Sequence, residues 1–206
     1  MNMPARRTLI AAALAALALA AGPAAGAPLV GDMSLGDPKA PVKMVEYASL
    51  SCVHCAAFNN EVFPHFKRKY IDTGKVHYTL REVLTEPANV AAAGFMTARC
   101  AGAENYFKVV DAAFRCFPEM LRTQDARANL VAAAKAGGLT EAQFVACVGD
   151  QAGLEAMQTR ASENAEKGAI RSTPTFYFNG KKVAEAAMSL PELDAAVASA
   201  AKQAPK

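Results

Sequence analysis

The sequence predicts an α/β fold with an all-helical subdomain inserted between its strands, and three observations carry that prediction. Residues 42–81 read as strand, helix, strand. Residues 88–167 turn alanine-rich and lose strand signals. Strand chemistry returns at Thr173, followed by a hairpin and a closing helix.

Met33 to Pro41 is a lead-in containing Gly, Pro and Asp. From Pro41 to Ser49, Val42, Met44 and Tyr47 stand around Lys43 and Glu46, the pattern of a strand entering a core. A helix is expected from Cys52, with the Ser51 hydroxyl as N-cap. Phe58, Val62, Phe63, Phe66 and Tyr70 recur close to the helical period. Pro64 lies within that run and lacks an N–H, so it should kink or divide the helix. After the turn Asp72-Thr73-Gly74, Val76, Tyr78 and Leu80 alternate with His77, Thr79 and Arg81, as in a half-buried strand.

Several packed helices should fill residues 88–167. Gly137-Gly138 ends one, and Thr140 with Gln143 makes a capping box for the next. Thr175-Phe176-Tyr177-Phe178 is then followed by Asn179-Gly180 and Lys181-Lys182-Val183. Asn and Gly accept positive φ at both central turn positions, so this is a hairpin signal. Ser189 with Glu192 is a second capping box, with Pro191 early in a helix that packs Leu193 and Val197 on the sheet.

A chain of 206 residues suits one domain carrying an insertion: residues 28–86 and 168–206 as the sheet-bearing parts and 87–167 as the insertion. Residues 1–27 read as an export signal peptide. Arg6 and Arg7 form a positive start, Thr8 to Ala21 is apolar but short for a bilayer span, and Ala18-Leu19-Ala20 and Ala25-Gly26-Ala27 are cleavage-like triplets. Pro28 disfavours the second cut, and an uncleaved membrane tether is the alternative. The paired arginines raise a twin-arginine route, which the flanking residues match poorly. Removing Arg6 and Arg7 leaves +1 of the chain's +3 net charge, which argues against nucleic acid as a partner. Five cysteines in an exported chain, an odd number, imply disulfides plus at least one free or transiently paired thiol. The expected compartment is the periplasm.

Cys52-Val53-His54-Cys55 carries the chemistry. Zinc would need two more Cys or His ligands at suitable spacing, and neither His65 nor His77 belongs to a second such pair, so no metal is expected. A structural disulfide over so short a loop would constrain the unfolded chain little. A redox pair has a direct mechanism. At a strand–helix junction, free N–H groups and the helix dipole stabilise a Cys52 thiolate. Cys55, one turn on, faces the same side. His54 can add a positive charge or a donor beside the thiolate, or it is an ordinary exposed histidine of the first turn. A stabilised thiolate leaves readily and favours the reduced form, which makes the disulfide oxidising. Cys52 is then the attacked sulfur, carrying the mixed disulfide, and Cys55 the buried resolving thiol. No soluble cofactor is needed.

The segment Glu46-Tyr47-Ala48-Ser49-Leu50-Ser51-Cys52-Val53-His54-Cys55 resembles the active-site segment of DsbA-like thioredoxin-fold proteins, with an acid six residues before the first Cys and a Cys-x-His-Cys centre. Thr173-Pro174-Thr175-Phe176 followed by Asn179-Gly180 resembles their cis-proline loop, and the helical block between matches their insertion. The resemblance covers Met33 to about Ala201 and implies a thioredoxin fold with an inserted all-helical subdomain. It departs at Val53, where the strongest oxidants of the family carry proline; this weakens the inference of a strong oxidant.

The resemblance assigns roles to further residues. A cis Thr173-Pro174 bond would bring that loop against the sulfurs and leave the Thr173 backbone free to pair with an extended substrate. Without the resemblance, a trans turn proline is the simpler reading. Glu46 would be a partly buried acid beneath Cys55, with a raised pKa, relaying its proton. A strand-edge salt bridge to Lys43 or a nearby Arg is the equal alternative from the residues alone. Members similar to this chain carry a second disulfide at positions like Cys100 and Cys147, which would leave Cys116 as a small buried hydrophobe. On one straight helix Cys100 and Cys116 would lie about 24 Å apart, too far to bond, but a dividing turn would reopen that pairing.

The expected function is a periplasmic thiol:disulfide oxidoreductase that donates a Cys52–Cys55 disulfide to reduced, unfolded secreted proteins and is reoxidised by a membrane redox partner. A reductase or isomerase of the same fold, or a peptide-binding chaperone-like module, are the alternatives.

Overall fold

The computed structural model describes residues 29–203, so the expected export signal lies outside the described residues. Five strands form one sheet in the order β1-β3-β2-β4-β5. At its centre, β2 (Val42–Ala48) runs parallel to β3 (Val76–Glu82) and antiparallel to β4 (Thr175–Phe178). A helical connection between two parallel strands is what a β-x-β crossover requires. β5 (Lys181–Ala184) closes the hairpin after β4, with Asn179 at φ +45° and Gly180 at φ +79°, as the turn residues predict.

Within the lead-in, to which the sequence pattern assigns no strand, the structure forms one. Met33–Leu35 forms β1, an edge strand antiparallel to β3, with the Ser34 and Thr79 hydroxyls 2.8 Å apart. Three residues are too few to show a period; their strand state comes from the partner. Gly36 ends β1 at φ +86°, and a Cβ there would meet the Val76 carbonyl oxygen at 2.7 Å.

The run after Cys52 is helical but divided, as Pro64 predicts. α1 (Val53–Ala57) passes into a π-helical turn (Phe58–Val62), α2 (Phe63–Phe66) follows with Pro64 in its first turn, and a second π-helical turn (Lys67–Ile71) ends the run. Between β3 and β4 lie α3 (Ala88–Cys100), α4 (Ala103–Thr123), α5 (Ala126–Ala136), α6 (Glu141–Val148) and α7 (Gln151–Lys167). The Thr140–Gln143 box caps α6, and the Ser189–Glu192 box caps α8 (Leu190–Lys202).

The helical insertion is joined to the sheet by a buried polar centre. Glu82, at the end of β3 and 1% exposed, accepts hydrogen bonds from Arg99 of α3, Tyr106 of α4 and Arg160 of α7. Asn164 of α7 donates to the Glu82 carbonyl at 3.0 Å. A carboxylate so placed is tolerated only because its oxygens are fully partnered. Asn60 adds a second join, donating to the Phe114 carbonyl of α4 at 2.9 Å. Leu193 and Val197 of α8 enter the core against the sheet, with Asp194 bonded to Lys69 and Tyr70 of the helical run.

Candidate redox site

Where β2 leaves the sheet, Ser49-Leu50-Ser51 carries the chain to α1. The residue expected to cap that helix, Ser51, does not. Its hydroxyl donates to the Thr85 carbonyl at 2.8 Å, and the Ser49 hydroxyl accepts from the Thr85 N–H at 3.1 Å. These bonds tie the approach to Cys52 to the segment after β3. They span 34 and 36 residues, so no local pattern could announce them.

The capping position falls to Cys52 itself. It is extended at φ −93° and ψ 117°, and its Sγ accepts the Cys55 N–H at 3.2 Å. A sulfur at an N-cap meets the unpaired N–H groups of the first turn, which favour its anion. Across from it, the Thr173–Pro174 bond is cis, and the Cys52 thiol points to the Thr173 carbonyl at 3.3 Å. Pro174 therefore lies against the cysteine pair although 122 residues separate Pro174 from Cys52 in sequence.

The two thiols differ sharply. A hydrogen bond from Cys55, a bond from the Thr173 side chain and the N–H groups of Cys55 and His54 outweigh burial, lowering the Cys52 pKa to about 6. Burial, then the hydrogen bond and charge of Cys52, then the charge of Glu46 push the Cys55 thiol well above the ordinary thiol range. Cys52 reaches the surface at 9% exposure, whereas Cys55 is fully enclosed. Val53 and His54 are exposed beside Cys52. The His54 imidazole forms no hydrogen bond among the described residues, so it matches the ordinary exposed first-turn histidine more closely than a donor to the sulfur.

Glu46 is 3% exposed, and among the described residues it forms no salt bridge to Lys43 or an arginine; Lys43 instead bonds the Pro38 carbonyl. Its partner is the Tyr78 hydroxyl, which donates to Oε2 at 2.7 Å. Burial pushes the Glu46 carboxyl up to about 8, the Tyr78 hydrogen bond opposes this, and the nearby Cys52 charge adds to it. Tyr78 was read only as a core position of a strand. Its inward place on β3, one strand from an inward-facing acid, is the signal that could have marked it as that acid's partner.

Cys100 and Cys147 are joined, with Cα atoms 6.4 Å apart, which links the end of α3 to α6. A turn at Ala101-Gly102 does divide Cys100 from Cys116, yet Cys116 remains a free thiol on α4. It is half-exposed rather than buried. Among the described residues, no group of three or more His, Cys, Asp or Glu side chains could hold a metal ion, and no helix is long and apolar enough to cross a membrane.

Comparison with known proteins gives a consistent family. The thioredoxin family model matches residues 29–198. A Rickettsia bellii (strain RML369-C) relative, with the provisional name protein-disulfide oxidoreductase, is 30% identical over 150 residues, 72% of this chain and 57% of its own. The chain thus spans little more than half the length of such curated relatives. Among solved structures, a double cysteine variant of Wolbachia pipientis α-DsbA1 matches with a TM-score of 0.75 and 28% identity, over 85% of this chain and 93% of that one. BdbD from Bacillus subtilis shares the fold, with a TM-score of 0.69 and 21% identity over 86% of this chain and 97% of that one. With a cysteine pair at the start of α1, a cis-proline loop facing it and five helices inserted between β3 and β4, the chain belongs to the thioredoxin family, among its DsbA-like members.

Proposed function

We propose that this protein is a thiol:disulfide oxidoreductase that donates a Cys52–Cys55 disulfide to reduced, unfolded secreted proteins in the periplasm. The observation that carries this reading is the division between the two sulfurs. Cys52 keeps an edge 9% exposed, with a pKa lowered to about 6, and Cys55 is enclosed with its thiol pushed up. A low-pKa sulfur is the better leaving group and stabilises the reduced protein, so the disulfide it forms is oxidising.

A substrate thiolate attacks Sγ of Cys52, forming a mixed disulfide and releasing the Cys55 sulfur, which takes up a proton. Glu46, held neutral by burial at pH 7, is the proton source for that sulfur. A second substrate thiolate then attacks the substrate sulfur of the mixed disulfide. The substrate leaves with its disulfide, Cys52 leaves as thiolate, and two electrons rest on the Cys52–Cys55 dithiol. A membrane redox partner accepts those electrons and restores the disulfide. Thr173 and Pro174 border Cys52, where the extended substrate backbone would lie, and the exposed Val53 supplies apolar surface next to it. The Arg6-Arg7 start and apolar Thr8–Ala21 run support export.

The test is oxidation of a reduced, unfolded model protein. The wild-type disulfide form should restore its disulfides stoichiometrically, and Cys52→Ala should leave its thiols free. Undiminished activity in Cys52→Ala would sink the assignment. Equilibration with glutathione sets direction: a potential near −120 mV fits a donor, whereas one near −270 mV would make the protein a reductant.

A further inference from the structure

Behind the cysteine pair, a cavity of about 320 Å³ opens between the helical run of residues 53–71, α4 and the β1–β3 side of the sheet. Its walls are apolar, contributed by Leu35, Phe63, Tyr78, Phe107, Val110 and Phe114. Glu46 also lines it. Tyr78 occupies Oε2 of that carboxyl, while the hydrogen bonds of the described residues leave Oε1 unpaired; it is not among the fully enclosed unpartnered atoms, so it borders the open space. A side chain that is 3% exposed with an oxygen turned to a cavity asks for a partner there.

The rim is cationic. Lys67 and Arg115 are matched by Asp72 and Asp111. Among the described residues, Lys108 has only the neutral Asn105 Oδ1, at 2.8 Å. An apolar chamber with a free cation at its mouth and a polar group at its floor is the general form of a site for a small amphiphile.

We propose that this cavity binds a small apolar acid, its hydrocarbon body among the phenylalanines, its anionic head at Lys108 and its inner end against Glu46. Apolar burial supplies the affinity, and the Lys108 charge supplies the orientation. A neutral Glu46 can lie against the occupant's apolar inner end, whereas an ionised one is left without water there and repels the anion. Around Glu46 stand Tyr78 of β3, the α1 cap Cys52, Cys55 of α1 and the apolar Phe176 of β4, and the cavity it lines also carries Lys67, Lys108, Asp111 and Arg115. With Cys52 and Cys55 locked as a disulfide, burial still raises the Glu46 carboxyl toward the neutral range. The occupant would sit against the acid assigned above to protonate Cys55, which makes the cavity an effector site for that chemistry. Only this last consequence rests on the proposed function; the binding itself does not.

The test uses the disulfide form of the protein and two fluorescent probes with the same apolar body, anilinonaphthalene sulfonate and the uncharged N-phenylnaphthylamine. The sulfonate should bind once per chain. Lys108→Glu should weaken it about five-fold or more, roughly the value of reversing one nearby charge, and leave the uncharged probe within about two-fold. Sulfonate affinity should fall as the pH is raised through the neutral range in the wild type and stay level in Glu46→Gln. Absence of saturable binding, equal loss of both probes in Lys108→Glu, or an unchanged pH profile in Glu46→Gln would each overturn the site. A protein that failed to oxidise substrates yet passed these tests would refute the proposed function and leave the cavity assignment standing.

Discussion

At the scale of single residues, the cysteine pair is governed by who donates to whom. Cys52 takes hydrogen bonds that favour its anion, the largest from Cys55, and its pKa falls from an ordinary 9.0 to about 6. In the reduced protein, alkylation of Cys52 by iodoacetamide should therefore be half-maximal near pH 6. Cys55→Ala should move that midpoint upward, because it deletes the largest contribution; a midpoint that stayed put would assign the shift to the helix N-terminus alone. The motif itself was plain in the sequence, since Cys52, His54 and Cys55 are neighbours. The identity of the capping group was not. Ser51 is the residue type that caps helices best, but its hydroxyl is drawn to Thr85, and the sulfur takes the place.

Within and between elements, two joins bear on stability. Glu82 is enclosed by donors from α3, α4 and α7, and Arg99 supplies three of the contacts. Arg99→Leu leaves a buried carboxylate short of its main partner and should cost about 3–5 kcal/mol of unfolding free energy in urea titration. The second join is Cys100–Cys147, which closes a loop of sequence separation 47. In the chain-entropy account a loop of that size is worth about 4 kcal/mol, so the Cys100→Ala, Cys147→Ala double variant should lose stability of that order while keeping Cys52 reactivity unchanged. Element types were largely legible because their signals are local: the Asn179-Gly180 turn and the two capping boxes each lie within four residues. β1 was not legible, because Met33–Leu35 becomes a strand only by pairing with β3 more than forty residues later.

Across the whole molecule, Glu46 couples the site to stability. Its carboxyl ionises from about 4.5 when unfolded and holds its proton to about 8 when folded. Stability from this group is fully present below about pH 4.5 and is lost as pH rises toward about 8. In the dithiol form Cys52 acts in the opposite sense, because its pKa is lowered and stability is gained from about pH 6 upward. The disulfide form removes that opposing contribution. Its resistance to urea should fall across the Glu46 window, and Glu46→Gln should flatten the decline.

Sequence alone determined the reacting pair, the strand–helix–strand start, the inserted helices and the hairpin, since each rests on residues close in the chain and on the steric and hydrogen-bonding habits of a few residue types. Only the tertiary structure decided that the Cys52 sulfur takes the helix cap in place of Ser51, that the Tyr78 hydroxyl donates to Glu46, and that a cavity reaches the acid. Those facts depend on the distances and desolvation created when β2, β3, β4 and α4 pack together, and burial sets the energy of a charge only once the surrounding chain is in place.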